Sequence, residues 1–72
     1  MSDRTIGILG LGIFGSSVLT ALAKQDMNII AIDDHAERIN QFEPVLARGV
    51  VGDITDEELL RTAGIDTCDT VV

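Results

Sequence analysis

The sequence predicts an α/β fold: a parallel sheet with helices on both faces. Three observations carry that reading. Apolar runs of strand length alternate with stretches of helical spacing along the whole chain. The apolar residues are mostly Ile, Val, Leu and Ala, with 3 % aromatic residues and no Trp or Tyr, as suits strands buried on both faces. Finally, Gly10-Leu11-Gly12-Ile13-Phe14-Gly15 stands between the first apolar run and the first helical stretch, and Asp33 closes the second apolar run.

The elements follow in order. Thr5-Ile6-Gly7-Ile8-Leu9 is a short buried strand. Phe14 to Gln25 forms a helix, with Val18, Leu19, Leu22 and Ala23 on one stripe at the helical period. Asn28 to Ile32 is the second strand. The next helix starts near Asp34, where Asp34 and Glu37 have capping-box spacing, and it buries Ile39 and Phe42. Pro44 disfavours helical geometry at Glu43 and ends it there. Ala47 to Val51 is the third strand, and Gly52-Asp53-Ile54 is its exit turn. Thr55 and Glu58 make a second capping box, opening a helix that carries Leu59, Leu60 and Ala63 and stops at Gly64. Thr70-Val71-Val72 begins a fourth strand.

This order, strand-helix three times and then the start of a strand, is the first half of a doubly wound, Rossmann-like sheet. We expect residues 1–72 to be the N-terminal half of a nucleotide-binding domain. A natural miniature domain is the alternative. A half-sheet leaves an open edge and apolar surface, so self-association is also expected.

Seventy-two residues make at most one small domain. The 46 % hydrophobic content excludes a disordered chain. The net charge of −7 argues against nucleic acid and against docking on anionic lipid. No apolar run reaches the roughly 20 residues of a membrane span, so direct insertion is not expected. The single Cys68 cannot form an internal disulfide, which fits a reducing cytoplasm.

A lone Gly-x-Gly-x-x-Gly is a weak signal. Between a strand and a helix, with an acid ending the next strand, it is the dinucleotide-binding fingerprint. Asp33 lies 18 residues after Gly15. Gly10 lets the chain turn out of the strand, Gly12 leaves room for a phosphate, and Gly15 lets helix and sheet pack closely. The first turn of the helix has free N–H groups and a positive dipole end for an anion. Asp33 would accept from the ribose hydroxyls of an adenosine. Asp33 and Asp34 together predict rejection of a ribose 2′-phosphate, with Arg38 the one residue placed to offset them. The plainer alternative is a tight turn with no ligand.

Catalytic groups are sparse. His35 is the only histidine and reads as a solvent-facing rim residue. Cys68 has no neighbouring histidine to activate it and reads as a loop or edge thiol. One His and one Cys give no metal-binding spacing.

Gly10 to Ser17, the strand Ile30-Ala31-Ile32-Asp33, the stretch Val50-Val51-Gly52-Asp53-Ile54-Thr55-Asp56-Glu57, and the closing Gly64-Ile65-Asp66 and Asp69-Thr70-Val71-Val72 together resemble the nucleotide-binding N-lobe of RCK (KTN, or TrkA-N) domains. The likeness runs from about Thr5 to Val72. The glycine motif is shared by many Rossmann proteins; its pairing with Val51 to Asp56 is more specific. The resemblance implies a cytoplasmic, non-enzymatic regulatory subunit of a potassium transporter or channel. Such a subunit binds NAD(H) or ATP/ADP, assembles into a homo-oligomer and acts through a membrane potassium-translocating partner. By position, Gly10, Gly12 and Gly15 would line the phosphates, with Ile13 and Phe14 at the helix start. Asp33 would hold the ribose, Asp53 and Ile54 would border the adenine, and Thr55 would close that turn. Many members carry arginine at the position of Ile13, so charge recognition of a terminal phosphate is not expected by that route. The rival reading is the cofactor-binding half of an NAD-dependent dehydrogenase, which the same glycines and Asp33 would serve.

Overall fold

The computed structural model describes residues 4–72. The sheet holds β1 (Thr5–Leu9), β2 (Asn28–Asp33), β3 (Arg48–Val51) and β4 (Thr70–Val71), joined by α1 (Ile13–Leu22), α2 (Ala36–Phe42) and α3 (Glu57–Ala63). The strand order is β3-β2-β1-β4, and every pairing is parallel. β1 thus has β2 on one side and β4 on the other, so the strand order reverses at its C-terminal end. Open α/β sheets bind ligands at such a switch point.

The period-two alternation of the strands sorts the core into two layers. Ile29 and Ala31 of β2 join Ile6 and Ile8 of β1, with Leu19 of α1 and Ile39 of α2, in one cluster. Ile32, from the same strand but the opposite face, packs with Ala63 of α3 and with Ile65. Helices therefore cover both faces, as the composition predicts. Ile8, Leu19, Ile29 and Ile32 are the largest fully buried side chains. The register aligns Leu9 with Ile32 and Asp33 with Val51, which brings the ends of β1, β2 and β3 to one rim of the sheet.

Several boundaries differ from the sequence reading. α1 starts at Ile13 and ends at Leu22, short of Gln25. Pro44 does not sit beyond a clean stop: it lies in a 3-10 turn, Glu43–Val45, that continues from α2. β3 begins at Arg48 rather than Ala47. Neither expected capping box forms as read. The N-cap of α2 is His35, without a side-chain cap. The N-cap of α3 is Asp56, whose carboxylate accepts from the amides of Glu58 and Leu59 at 3.1 and 3.3 Å. Thr55 belongs instead to the preceding turn: its amide, which a capping-box Glu58 would have accepted from, and its hydroxyl both donate to Asp53 Oδ1, at 2.8 and 2.7 Å. The stop at Gly64 holds, with a left-handed φ of 92°. Arg48 secures the same helix end across the fold, donating from Nη1 to the carbonyls of Thr62 and Ala63 at 3.2 and 3.3 Å.

Candidate functional site

The glycine loop leaves β1 at the switch point. Gly10 has φ 95°, a conformation that glycine adopts without strain. A methyl group on Gly15 would run into the Gly10 carbonyl oxygen, so the start of α1 lies directly against the loop. Gly12 is different: a methyl there would meet nothing within 4 Å. Its lack of a side chain is not needed for packing within this chain, and it leaves the loop backbone open to an approaching group. The amides in the first turn of α1 have no acceptor within the helix. That turn carries no acidic residue and no side-chain cap, so its own side chains leave the partial positive charge of the helix start in place.

Asp33 is the other half of the arrangement. Its residue exposure is 2 %, although it stands at a strand end. Oδ2 accepts the Leu11 amide from the middle of the glycine loop at 2.6 Å. Oδ1 accepts the His35 amide at 2.8 Å and faces the His35 ring Nδ1 at 3.1 Å. Arg38 Nη1 lies 3.5 Å from Oδ2. Burial alone would raise the Asp33 pKa. The hydrogen bonds from Leu11 and His35, together with the Arg38 charge, outweigh it and hold the carboxyl at about 2 against an ordinary 3.8. Asp33 is therefore ionised and is a structural tie between β2 and the glycine loop. Although it ends a strand, Asp33 is part of the fold's interior.

Two clefts meet at Gly10. One, of about 210 Å³, is lined by Gly10, Asp33, Asp34, Arg38, Asp53 and Ile54. The other, of about 310 Å³, is lined by Ile8, Leu9, Gly10, Gly12, Ile13, Phe14, Gly15 and Val72. All but one of the nucleotide-site residues expected from sequence line one cleft or the other. Thr55 is the exception, and it shapes the turn through Asp53. Hydrogen bonds from the Thr55 hydroxyl and amide lower the Asp53 pKa. Ile13 and Phe14 are 90 % and 72 % exposed at the mouth of the loop. A larger groove of about 450 Å³ runs between β3 and α3, past Arg48, Val50, Asp56 and Leu59. It contains none of the fingerprint glycines.

His35 is at the rim, as expected, but it is not merely solvated. Its Nδ1 also lies 2.6 Å from Asp34 Oδ1. The ligand atoms of Asp33, Asp34 and His35 fall within 4.8 Å of one another, drawn together by the His35–Asp33 hydrogen bonds and the close contact of the His35 ring with Asp34. Cys68 is half-buried, and burial, with Asp69 and Asp66 nearby, pushes its thiol pKa up, away from nucleophilic reactivity. Among the described residues, no helix is long and apolar enough to cross a membrane.

The TrkA-N domain profile matches residues 6–72. The chain belongs to the TrkA-N domain family. It is 30 % identical over 69 residues to the Ktr system potassium uptake protein C of Bacillus subtilis (strain 168), a match covering 96 % of this chain and 31 % of that protein. It is 25 % identical over 72 residues to the Ktr system potassium uptake protein A of the same organism, covering all of this chain and 32 % of that protein. The Ktr system potassium uptake protein A of Vibrio alginolyticus is 26 % identical over 70 residues, 97 % of this chain and 32 % of that protein. The TrkA-N chain described here thus spans about a third of the length of these relatives.

Proposed function

We propose that residues 1–72 form the N-terminal half of a nucleotide-binding domain in a regulatory subunit of a potassium uptake system. The ligand is an adenine nucleotide, NAD(H) or ATP/ADP. The role is sensing and not catalysis, in a cytoplasmic homo-oligomer that acts on a membrane potassium-translocating subunit. Support for the potassium role comes from the matched relatives, which are potassium uptake proteins by name. Support for the ligand comes from the site itself.

One observation carries the nucleotide reading: the Asp33 carboxylate is bonded to the Leu11 amide at 2.6 Å, so the anionic ribose-binding residue and the phosphate-binding loop are joined. The cleft beside Asp33 then takes the adenosine, with Asp53 and Ile54 at the adenine. Its neighbour takes the phosphates against Gly10, Gly12 and Gly15, at the first amides of α1, with Ile13 and Phe14 at the entrance. Opposite local charges serve the two ends of the ligand: backbone N–H groups face the anion and a carboxylate faces the hydroxyls.

Calorimetric titration of the chain with ADP, ATP and NAD tests this. One site per chain with saturable binding of at least one of them is the expected result. Heats indistinguishable from dilution for all three would overturn the nucleotide reading.

A further inference from the structure

We propose that the His35 ring and the Arg38 guanidinium occupy, on Asp33, the two acceptor positions that the vicinal hydroxyls of a ribose take when they bind. Both side chains must leave for the sugar to be held, and Arg38 sets how strongly the hydroxyls are selected. This rests on the adenine-nucleotide reading of the site and adds what competes with the ligand there.

An ionised carboxylate offers about four lone-pair positions, two on each oxygen. In Asp33 all of them are taken. Oδ2 has the Leu11 amide and Arg38 Nη1; Oδ1 has the His35 amide and the His35 ring. Each oxygen therefore carries one backbone donor and one side-chain donor. The backbone donors are fixed, since removing them would shift the glycine loop or the start of α2. A hydroxyl arriving at either oxygen can only displace the side chain.

The two side chains differ in what they lose. Nδ1 of His35 lies between two carboxylates, 3.1 Å from Asp33 Oδ1 and 2.6 Å from Asp34 Oδ1. The ring can leave Asp33 and keep a partner. Arg38 has the longest of the four contacts, 3.5 Å, and its side chain is 44 % exposed. It also lines a third cleft, beside Gly12, Ser16 and Gln41. Displacing Arg38 sacrifices a charge pair with Asp33, whereas displacing His35 sacrifices little. Arg38 is accordingly the specificity-determining residue of the two.

The test compares ADP with 2′,3′-dideoxy-ADP on the full chain and on Arg38→Met and Arg38→Ala. Both ligands carry the same phosphates, so the lost positive charge alters both affinities alike and cancels in their ratio. The expected result is that the ADP-to-dideoxy-ADP affinity ratio rises about three- to tenfold in the variants, the scale of one hydrogen bond gained at an unoccupied acceptor. In the unaltered chain, the His35 ring nitrogen resonances should move more on adding ADP than on adding dideoxy-ADP. A ratio unchanged or lowered in the variants, or equal movement of the ring resonances, would overturn the proposal while leaving the nucleotide reading in place. Failure of the unaltered chain to bind ADP would remove both.

Discussion

Asp33 and Leu11 are joined across 22 positions of sequence by a 2.6 Å hydrogen bond from the Leu11 amide to a carboxylate that is almost fully buried. The residue proposed to face a ribose is thus also the residue that shapes the glycine loop. Ligand recognition and fold cannot be separated at this position.

Replacing Asp33 with Ala should therefore damage the fold as well as binding. The amides of Leu11 and His35 would lose their acceptors, and a buried donor left unpaired costs about 1–3 kcal/mol. We expect a loss of about 2–4 kcal/mol in urea unfolding, with Asp33→Asn intermediate because its side-chain oxygen still accepts. A variant as stable as the parent would show that the tie is dispensable.

The same carboxylate gives an acid limit. Its folded pKa of about 2 lies below the ordinary 3.8, so its contribution is fully present above the higher value. It is lost as pH falls through the lower one. The contribution is about 2 kcal/mol. Stability measured by denaturant at a series of pH values should fall between about pH 4 and pH 2, and Asp33→Asn should flatten that part of the profile. An equally steep fall in the variant would assign the acid sensitivity to other groups.

Gly12 and Gly15 should separate function from folding. Gly12 has open space around it, so Gly12→Val should fold and fail to bind nucleotide. Gly15→Ala puts a methyl into the Gly10 carbonyl and should unfold the chain or lower its thermal midpoint sharply. Circular dichroism and calorimetry on the two variants read both effects. A folded Gly12→Val protein that binds like the parent would contradict the phosphate-loop assignment.

Ile13 offers a gain of function. It is 90 % exposed at the first residue of α1, so Ile13→Arg should leave stability unchanged. A guanidinium there should favour ATP over ADP by about tenfold relative to the parent, the scale of a hydrogen bond between charged groups. Equal changes for both nucleotides would mean that the side chain does not reach the terminal phosphate.

Much of this was legible in sequence because it depends on local pattern. The alternating apolar runs, the three glycines and the acid ending the second strand placed β1, α1 and β2. What was not legible depends on competition between nearby polar groups. Thr55 and Glu58 have the spacing of a capping box, but Asp53 accepts the Thr55 amide that Glu58 would have taken, and the cap of the helix is Asp56, one residue on. Asp34 likewise has the right spacing to Glu37, yet its carboxylate faces the His35 ring, and the His35 amide goes to Asp33. The burial of Asp33 follows from a contact with a loop 22 residues earlier, which no short-range pattern reports. The clasp of Arg48 on the end of α3 spans the fold in the same way.

Where ADP settles on the chain is best resolved by following the backbone amide resonances of the isotopically labelled protein as ADP is added. Saturable shifts should concentrate at Gly10 to Gly15, at Asp33 to His35 and at Asp53 to Thr55. The amides of Arg48, Leu59 and Thr62, which border the larger groove between β3 and α3, should stay in place. Shifts centred on that groove, or no saturable shifts at the glycine loop, would contradict a nucleotide site built on Gly12 and Asp33.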